Sequence, residues 1–307
     1  MTTGSNHLPT TTVTPARVGL FQATQRPVRR AGEWIKTSWG RCKVEGRLGQ
    51  RHADLLEAIL FCAERARPED AGTLKLLIDP ARVRQVMSDD RYSLQQIWLL
   101  LRELRECTID VETPTMHIMG GVIESAEHTE EMTRRDPLTG GERRLWTIRL
   151  GKAWVELMRL DLPLHYDPSP ITRLRHGISQ AIVRHVLTHR SEPQGGWVID
   201  RLIGAVAGAL DGQARKDARR RLREDAPGLV EAGVTVSGDR VHRSRSPHAP
   251  GQSPVAHPPD GVAHPPDGVA HPPDRVAHPP DGVAHPPDGV AHPPDRVAHP
   301  PDAHGSL

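Results

Sequence analysis

The sequence predicts an α+β protein, mainly helical, in which one structural plan is used twice and is followed by a repetitive tail. Three observations carry this. Apolar residues recur at three- and four-residue steps in stretches such as Gln50–Ala66 and Ser93–Cys107, the period of amphipathic helices. The order helix, short helix, longer helix, β hairpin occurs once before residue 150 and once after it. From Val255 the unit VAHPPD occurs seven times, successive copies being separated by Gly or, at 275 and 296, by Arg.

Taken in order, residues 1–30 are rich in Thr and Pro, lack a period, and are expected to form a disordered arm with a docking point at Val18–Phe21. Glu33–Arg47 reads as a pair of strands. In Gln50–Ala66, Leu55, Leu56, Ile59, Leu60 and Ala63 mark the apolar face of a helix. Thr73–Asp79 is strand-like. Asp79-Pro80 is a helix start, a capping carboxylate followed by a residue whose missing N–H costs nothing there. Ser93 and Gln96 have capping-box spacing, and Leu94, Ile97, Trp98, Leu101 and Leu104 form one stripe behind them. Thr108–Thr113 and Met116–Ser125 are expected to pair as a hairpin. A polar stretch, Ala126–Glu142, separates it from a strand at Arg143–Leu150.

In the second half, Gly151–Asp161 reads as a linking helix. Ser169-Pro170 is expected to open the next helix, with Leu174, Ile178, Ala181, Ile182 and Val186 as its buried face. Gly195–Asp200 reads as a turn and short strand, with Asp200 capping Arg201–Leu210. Asp211-Gly212 ends that helix and starts Gln213–Asp225. Gly233–Arg243 is a hairpin with Ser237-Gly238-Asp239 at its tip. Each half thus has the order of a winged helix, a helix-turn-helix whose hairpin forms the wing. The expected domains are an arm (1–30), a first winged helix for association and DNA backbone contact (31–150), a second for DNA recognition (151–245), and a disordered tail (246–307).

Charge supports a polyanionic partner. The repeats hold seven Asp and two Arg, leaving 38 Lys+Arg against 31 Asp+Glu in the rest. Cys42, Cys62 and Cys107 are too few and too irregularly spaced for a disulfide framework or a zinc site. The start lacks the basic and apolar regions of a signal peptide. No apolar run reaches the roughly 18 residues of a membrane helix. The expected location is the bacterial cytoplasm, without membrane contact.

The strongest local signal is Gln213–Asp225. At about 100° per residue, Ala214, Ala218 and Leu222 fall on a narrow apolar side, while Arg215, Lys216, Arg219, Arg220 and Arg223 cover an arc of about 140° opposite. Arg dominates, and its planar fork grips phosphate or guanine bidentately where Lys is a point charge. The helix is read as a major-groove recognition helix. Arg240, Arg243 and Arg245 of the second wing are expected to add phosphate contacts. The positional equivalent, Ser93–Cys107, offers only Arg102 and Arg105 as cations and is expected mainly to pack. Catalysis finds no support. There is no phosphate-binding GxxxxGK[ST] loop, and no His-x-His pair to accompany a nucleophilic Tyr92 or Tyr166. His185 and His189, four apart, lack a third metal ligand and are read as structural. No cofactor is expected.

The stretches Gly46–Leu60, Tyr92–Thr113, Ile118–Ser125 and Ile178–Val206, with the basic helix, resemble plasmid replication initiators of the RepA/TrfA type. The resemblance spans about residues 18–243. It implies two winged helices that bind tandem repeats (iterons) at an origin and open adjacent DNA. It also implies recruitment of the host initiator and helicase, and dimers formed through the first domain. By position, Arg215, Lys216, Arg219, Arg220 and Arg223 would read the iteron. The tail is a departure, since the family does not require one. A winged-helix transcriptional repressor, and an interaction protein whose Pro-rich tail is the working part, stand as alternatives.

As protein, each repeat has only Val and Ala to bury, and Pro-Pro blocks helix and sheet. As DNA, seven codons span 21 base pairs, about two helical turns, so successive units present the same groove to the same side. Gly to Arg can be a single base change, GGN to CGN. The repeats are therefore expected to encode the protein's own binding sites, with expansion by slippage as the competing origin.

Overall fold

The computed structural model describes residues 8–88, 91–135 and 140–244. The repeat tail and Arg245 lie outside these residues. The chain opens with β1 (Thr11–Thr12) and α1 (Val13–Arg17). Next come β2 (Ile35–Lys36), β3 (Arg41–Glu45), α2 (Gln50–Cys62), β4 (Ala63–Pro68) and β5 (Leu74–Ile78). α3 (Pro80–Met87) begins as its residues dictate, with the Ala81 N–H donating to the Asp79 carboxylate at 2.9 Å and Pro80 as first helical residue. α4 (Leu94–Arg105) has the expected reciprocal cap: the Gln96 N–H donates to Ser93 Oγ at 3.2 Å, and the Ser93 N–H donates to Gln96 Oε1 at 2.7 Å.

The chain continues through β6 (Thr108–Thr113), β7 (Met116–Gly121), β8 (Ile123–Arg135), β9 (Glu142–Leu150), α5 (Lys152–Leu160) and β10 (Pro163–Leu164). The second half holds α6 (Ser169–Thr172), α7 (Gly177–Leu187), β11 (Trp197–Val198), α8 (Ile199–Ala207), α9 (Gly212–Glu224), α10 (Ala226–Glu231), β12 (Val234–Ser237) and β13 (Arg240–Arg243). The architecture is mixed α+β, and the strand share exceeds a mainly helical expectation.

Four local expectations change, each for a physical reason. The arm does not hold as disordered over residues 8–30. Leu20 and Phe21 are buried in the first core, Phe21 packs edge-on against Trp154, and β1 pairs antiparallel with β10. Composition reports what a segment can bury alone, and this one borrows apolar surface from neighbours. α2 stops at Cys62 because Ala63–Pro68 leaves the helix to pair with β5. Of the polar stretch Ala126–Glu142, Ala126–Arg135 continues β8 and Glu142 opens β9, the strand with which β8 pairs; residues 136–139 lie outside the described residues. Ser169-Pro170 opens only the short α6, and the helix carrying Ile178, Ala181, Ile182 and Val186 starts at Gly177.

The two halves share one topology. In the first, α2, β5, α3 and α4 are followed by the β8–β9 hairpin, and the strands lie in the order β4-β5-β9-β8. In the second, α7, β11, α8 and α9 are followed by α10 and the β12–β13 hairpin, in the order β11-β13-β12. In both sheets the strand just before the second helix, β5 or β11, pairs with the last strand of the hairpin. The hairpin in the wing position of the first half is therefore β8–β9. Of the Thr108–Ser125 segment, expected in that role, Thr108–Gly121 joins β2 and β3 in a separate sheet of order β2-β3-β6-β7, while Ile123–Ser125 begins β8.

Each half has its own apolar cluster, one drawn from Leu20 to Leu157 and the other from Ile171 to Val241. α5 belongs to the first, through Ala153, Trp154, Val155 and Leu157. Between the clusters lies a buried polar knot. Arg184 of α7 donates through Nη2 to Asp54 Oδ1 at 2.6 Å and to Glu57 Oε2 at 2.8 Å, both on α2. Its Nε donates to Glu57 Oε1 at 2.8 Å and its Nη1 to Gln50 Oε1 at 2.7 Å. Tyr166 Oη donates to Glu57 at 2.7 Å, and Gln180 Nε2 to Asp54 at 3.1 Å. One guanidinium faces two carboxylates, so ionising both leaves a buried negative charge. Burial accordingly pushes Asp54 up to about 6, although Arg184 pulls the other way.

Candidate nucleic-acid interface

α9 is held by little and shows much. The Ala214 N–H donates to its N-cap, the Asp211 carboxylate, at 2.7 Å. Only Ala218 and Leu222 are buried. Arg215, Lys216, Arg220, Arg221 and Arg223 are exposed, and Arg219 is half-buried. The helix therefore presents the basic arc read from its sequence.

The cations on that arc are not equivalent. Arg219 is clamped by Asp200 of α8: Nε donates to Oδ1 at 2.6 Å and Nη2 meets Oδ2. That bond holds the Asp200 carboxyl below the usual carboxylate range. Asp200 does not cap α8 as expected; Val198 occupies the N-cap, and Asp200 sits inside the first turn facing α9. Arg220 pairs along its own helix with Glu224 at 2.7 Å and Asp217 at 3.4 Å. Arg215 donates to the Leu210 carbonyl at 3.1 Å. Lys216, Arg221 and Arg223 have no carboxylate partner among the described residues.

The hairpin cations are anchored. Gly238, at φ +59, makes the tight tip of β12–β13. Arg240 donates to the Gly196 carbonyl at 3.4 Å, near Asp239 at 3.7 Å. Arg243 donates to the His189 carbonyl at 2.9 Å, while its backbone N–H donates to Glu192. These two arginines fasten β13 to β11 and to the end of α7, and both are half-buried. The sequence offered no sign of these partners, which come from residues 44 to 54 positions away.

α4, in the same place in the first half, buries Ile97, Leu100, Leu101 and Leu104 and leaves Leu94 and Leu99 exposed. Its Glu103 meets His52 of α2 at 2.7 Å. The Gly49 N–H donates to His52 Nδ1 at 3.0 Å, so Nε2 carries the proton and donates to Glu103. Burial lowers the His52 pKa, and Glu103 opposes that shift.

The remaining reactive side chains are spoken for. All three cysteines are buried, and burial pushes Cys42 up to about 12 and Cys62 up to about 11, leaving them protonated and unreactive. His185 and His189 bring their Nε2 atoms to 3.3 Å, and burial, with His189 and Arg17, lowers His185 to about 4. Among the described residues no third His, Cys, Asp or Glu joins them in a group that could hold a metal. Nor, among these residues, is any helix long and apolar enough to cross a membrane.

No family model matches the chain, and no curated protein matches it. In fold it is similar to domains 2 and 3 of RctB, known from the crystal structure of selenomethionine derivatives. The identity is 12%, the match covers 74% of this chain and 88% of that one, and the TM-score is 0.47.

Proposed function

We propose that the protein binds duplex DNA through two tandem winged helices and acts as a replication initiator of the plasmid type, without enzymatic activity. One observation carries the DNA reading. α9, third helix of its unit, keeps only Ala218 and Leu222 for the core and turns its basic arc outward. A helix of that width fits the major groove, where Arg can address guanine bidentately. Lys216 and Arg223 are the foremost readers, with Arg215 and Arg221 beside them. Arg219 and Arg220 join by exchanging a carboxylate for a phosphate or base. Arg240 and Arg243 position the hairpin and reach phosphates only secondarily.

The initiator role rests on the resemblance over residues 18–243 and on the repeats. The 21-base-pair period of the repeat-encoding DNA is the array a repeated-site binder needs, and we propose it as the cognate site. Host initiator and helicase would be recruited there, and copies of the chain would associate through the first half. The test is a footprint of residues 1–246 on the DNA encoding residues 255–302. Protection should recur at the unit spacing. Synonymous recoding of that DNA should abolish both binding and replication in cis. Full replication from the recoded plasmid would sink the initiator reading. A footprint without any replication defect would leave a DNA-binding regulator.

A further inference from the structure

We infer that the first half carries a second surface for duplex DNA, a phosphate grip built from Arg26, Arg29, Arg30, Arg47 and Arg105. The inference rests on the duplex-DNA reading of α9 and adds a contact face that neither α9 nor its hairpin provides.

Three stretches of chain far apart in sequence make the surface. The motif RPVRR (Arg26–Arg30) belongs to the segment expected to be disordered, and two sets of bonds fix it. The Gln22 side chain closes the turn, donating to the Val28 carbonyl at 2.7 Å and accepting from the Val28 N–H at 3.3 Å. Arg30 and Gly46 then exchange backbone bonds, at 2.9 Å and 3.1 Å, in an antiparallel bridge. Extending that register by one residue sets Arg29 opposite Arg47. Gly46 has φ +129, and a Cβ there would lie 2.6 Å from Cys107 Sγ, so only glycine lets this turn close onto the end of α4. Cys107 Sγ reaches the Arg47 carbonyl at 3.7 Å. Arg105, exposed in the last turn of α4, stands two residues before Cys107.

All five side chains are exposed, and among the described residues none has a carboxylate within ion-pair reach. Arg41, Arg134, Arg149, Arg219 and Arg220 each have one; the patch shares its lack of counter-charges with Lys216, Arg221 and Arg223 of α9. Of the acids near the patch, Glu103 is engaged by His52 and Glu45 by Lys43. Glu106, at the helix end, and Glu33, three residues after Arg30, have no ion-pair partner among the described residues. The α4 helix dipole accounts for Arg105, but not for Arg26, Arg29, Arg30 and Arg47. Cations gathered without counter-charges repel one another, and an anion relieves that cost. Five exposed planar forks suit a row of phosphates.

The test uses the full chain and two duplexes, the repeat-encoding DNA and a scrambled duplex of equal composition. The triple variant R29A/R30A/R47A should reduce the slope of log affinity against log salt by about 2–3, at ~0.9 per phosphate contact. It should do so on both duplexes and keep their affinity ratio. R29K/R30K/R47K should restore the slope. Arg29→Ala and Arg47→Ala singly, each expected to remove about 0.9, serve if the triple variant melts early. An unchanged slope overturns the surface, as does a changed affinity ratio. The double variant K216A/R223A separates the two ideas. If it loses the ratio while the patch variants keep the slope, only this inference fails. If it changes nothing while the patch variants lose slope, the α9 reading fails and the patch stands. Binding to neither duplex overturns both.

Discussion

α4 and α9 occupy the same position in two copies of one topology and are used in opposite ways. α4 buries four large aliphatic side chains and keeps two more leucines at its surface. α9 buries one alanine and one leucine and gives the rest of its length to solvent. The plan sets where a third helix stands, and the residues on it decide whether it packs or reads. The difference extends to their surroundings. The basic arc of α9 is partly neutralised by Asp200, Asp217 and Glu224. The arginines around the end of α4 have no such partners among the described residues.

The largest expected effect tests whether the two halves can be compared as separate bodies at all. Arg184→Ala leaves Asp54 and Glu57 buried without their cation, and should cost about 3–5 kcal/mol. Urea unfolding should show one weakened transition. Two separate transitions in the wild type would break the view that the knot couples the halves. For the same reason a fragment of residues 150–245 should be much less stable than the whole chain. Its α7 would expose Gln180, Ala181 and Arg184, which are buried in the intact protein.

The next effect divides the two helices. Lys216→Ala and Arg223→Ala should each weaken binding by about 1–3 kcal/mol for every base the side chain reads, and relax sequence choice. Gln95→Ala on α4 should leave the ratio of specific to non-specific binding unchanged. A fall in that ratio in the α4 variant would erase the division of labour.

A smaller effect, opposite in sign, is expected from Asp200→Asn. Releasing Arg219 should tighten DNA binding and steepen its salt dependence by about 0.9, with little change in melting temperature. Weaker binding would mean that Asp200 orients Arg219 for reading.

The smallest effect is in pH. Asp54 is raised in the folded state to about 6, so folding takes up a proton between its ordinary range and that value. Its contribution to stability therefore falls as pH rises from about 4 through about 6. His52 and His185, lowered by burial, act in the opposite direction over an overlapping range. The informative quantity is the difference between wild type and Asp54→Asn, measured as melting temperature at pH 4.5, 6 and 7. The wild type should lose ground as pH rises, and a flat difference would mean that Asp54 stays ionised throughout.

The local grammar of this protein was legible in its sequence. Asp79-Pro80, Ser93 with Gln96, and Asp211-Gly212 mark helix starts because capping is decided within four residues. The stripe of α4 and the basic arc of α9 follow from period alone. Tertiary structure decided the rest, because every such feature depends on partners distant along the chain. Polar Ala126–Arg135 becomes strand by pairing with β9, and Thr10–Phe21 becomes ordered by filling seams between other elements. Asp54, Glu57 and Arg184 look like solvated charges among apolar residues until α2 and α7 meet around them. Arg219 looks free until Asp200, nineteen positions earlier, closes on it. The stretches holding Arg29 and Arg47 meet only through the Arg30–Gly46 bridge. Helix period and caps are short-range sterics and hydrogen bonds, written in neighbouring residues; which charges are paired is a property of the packed chain.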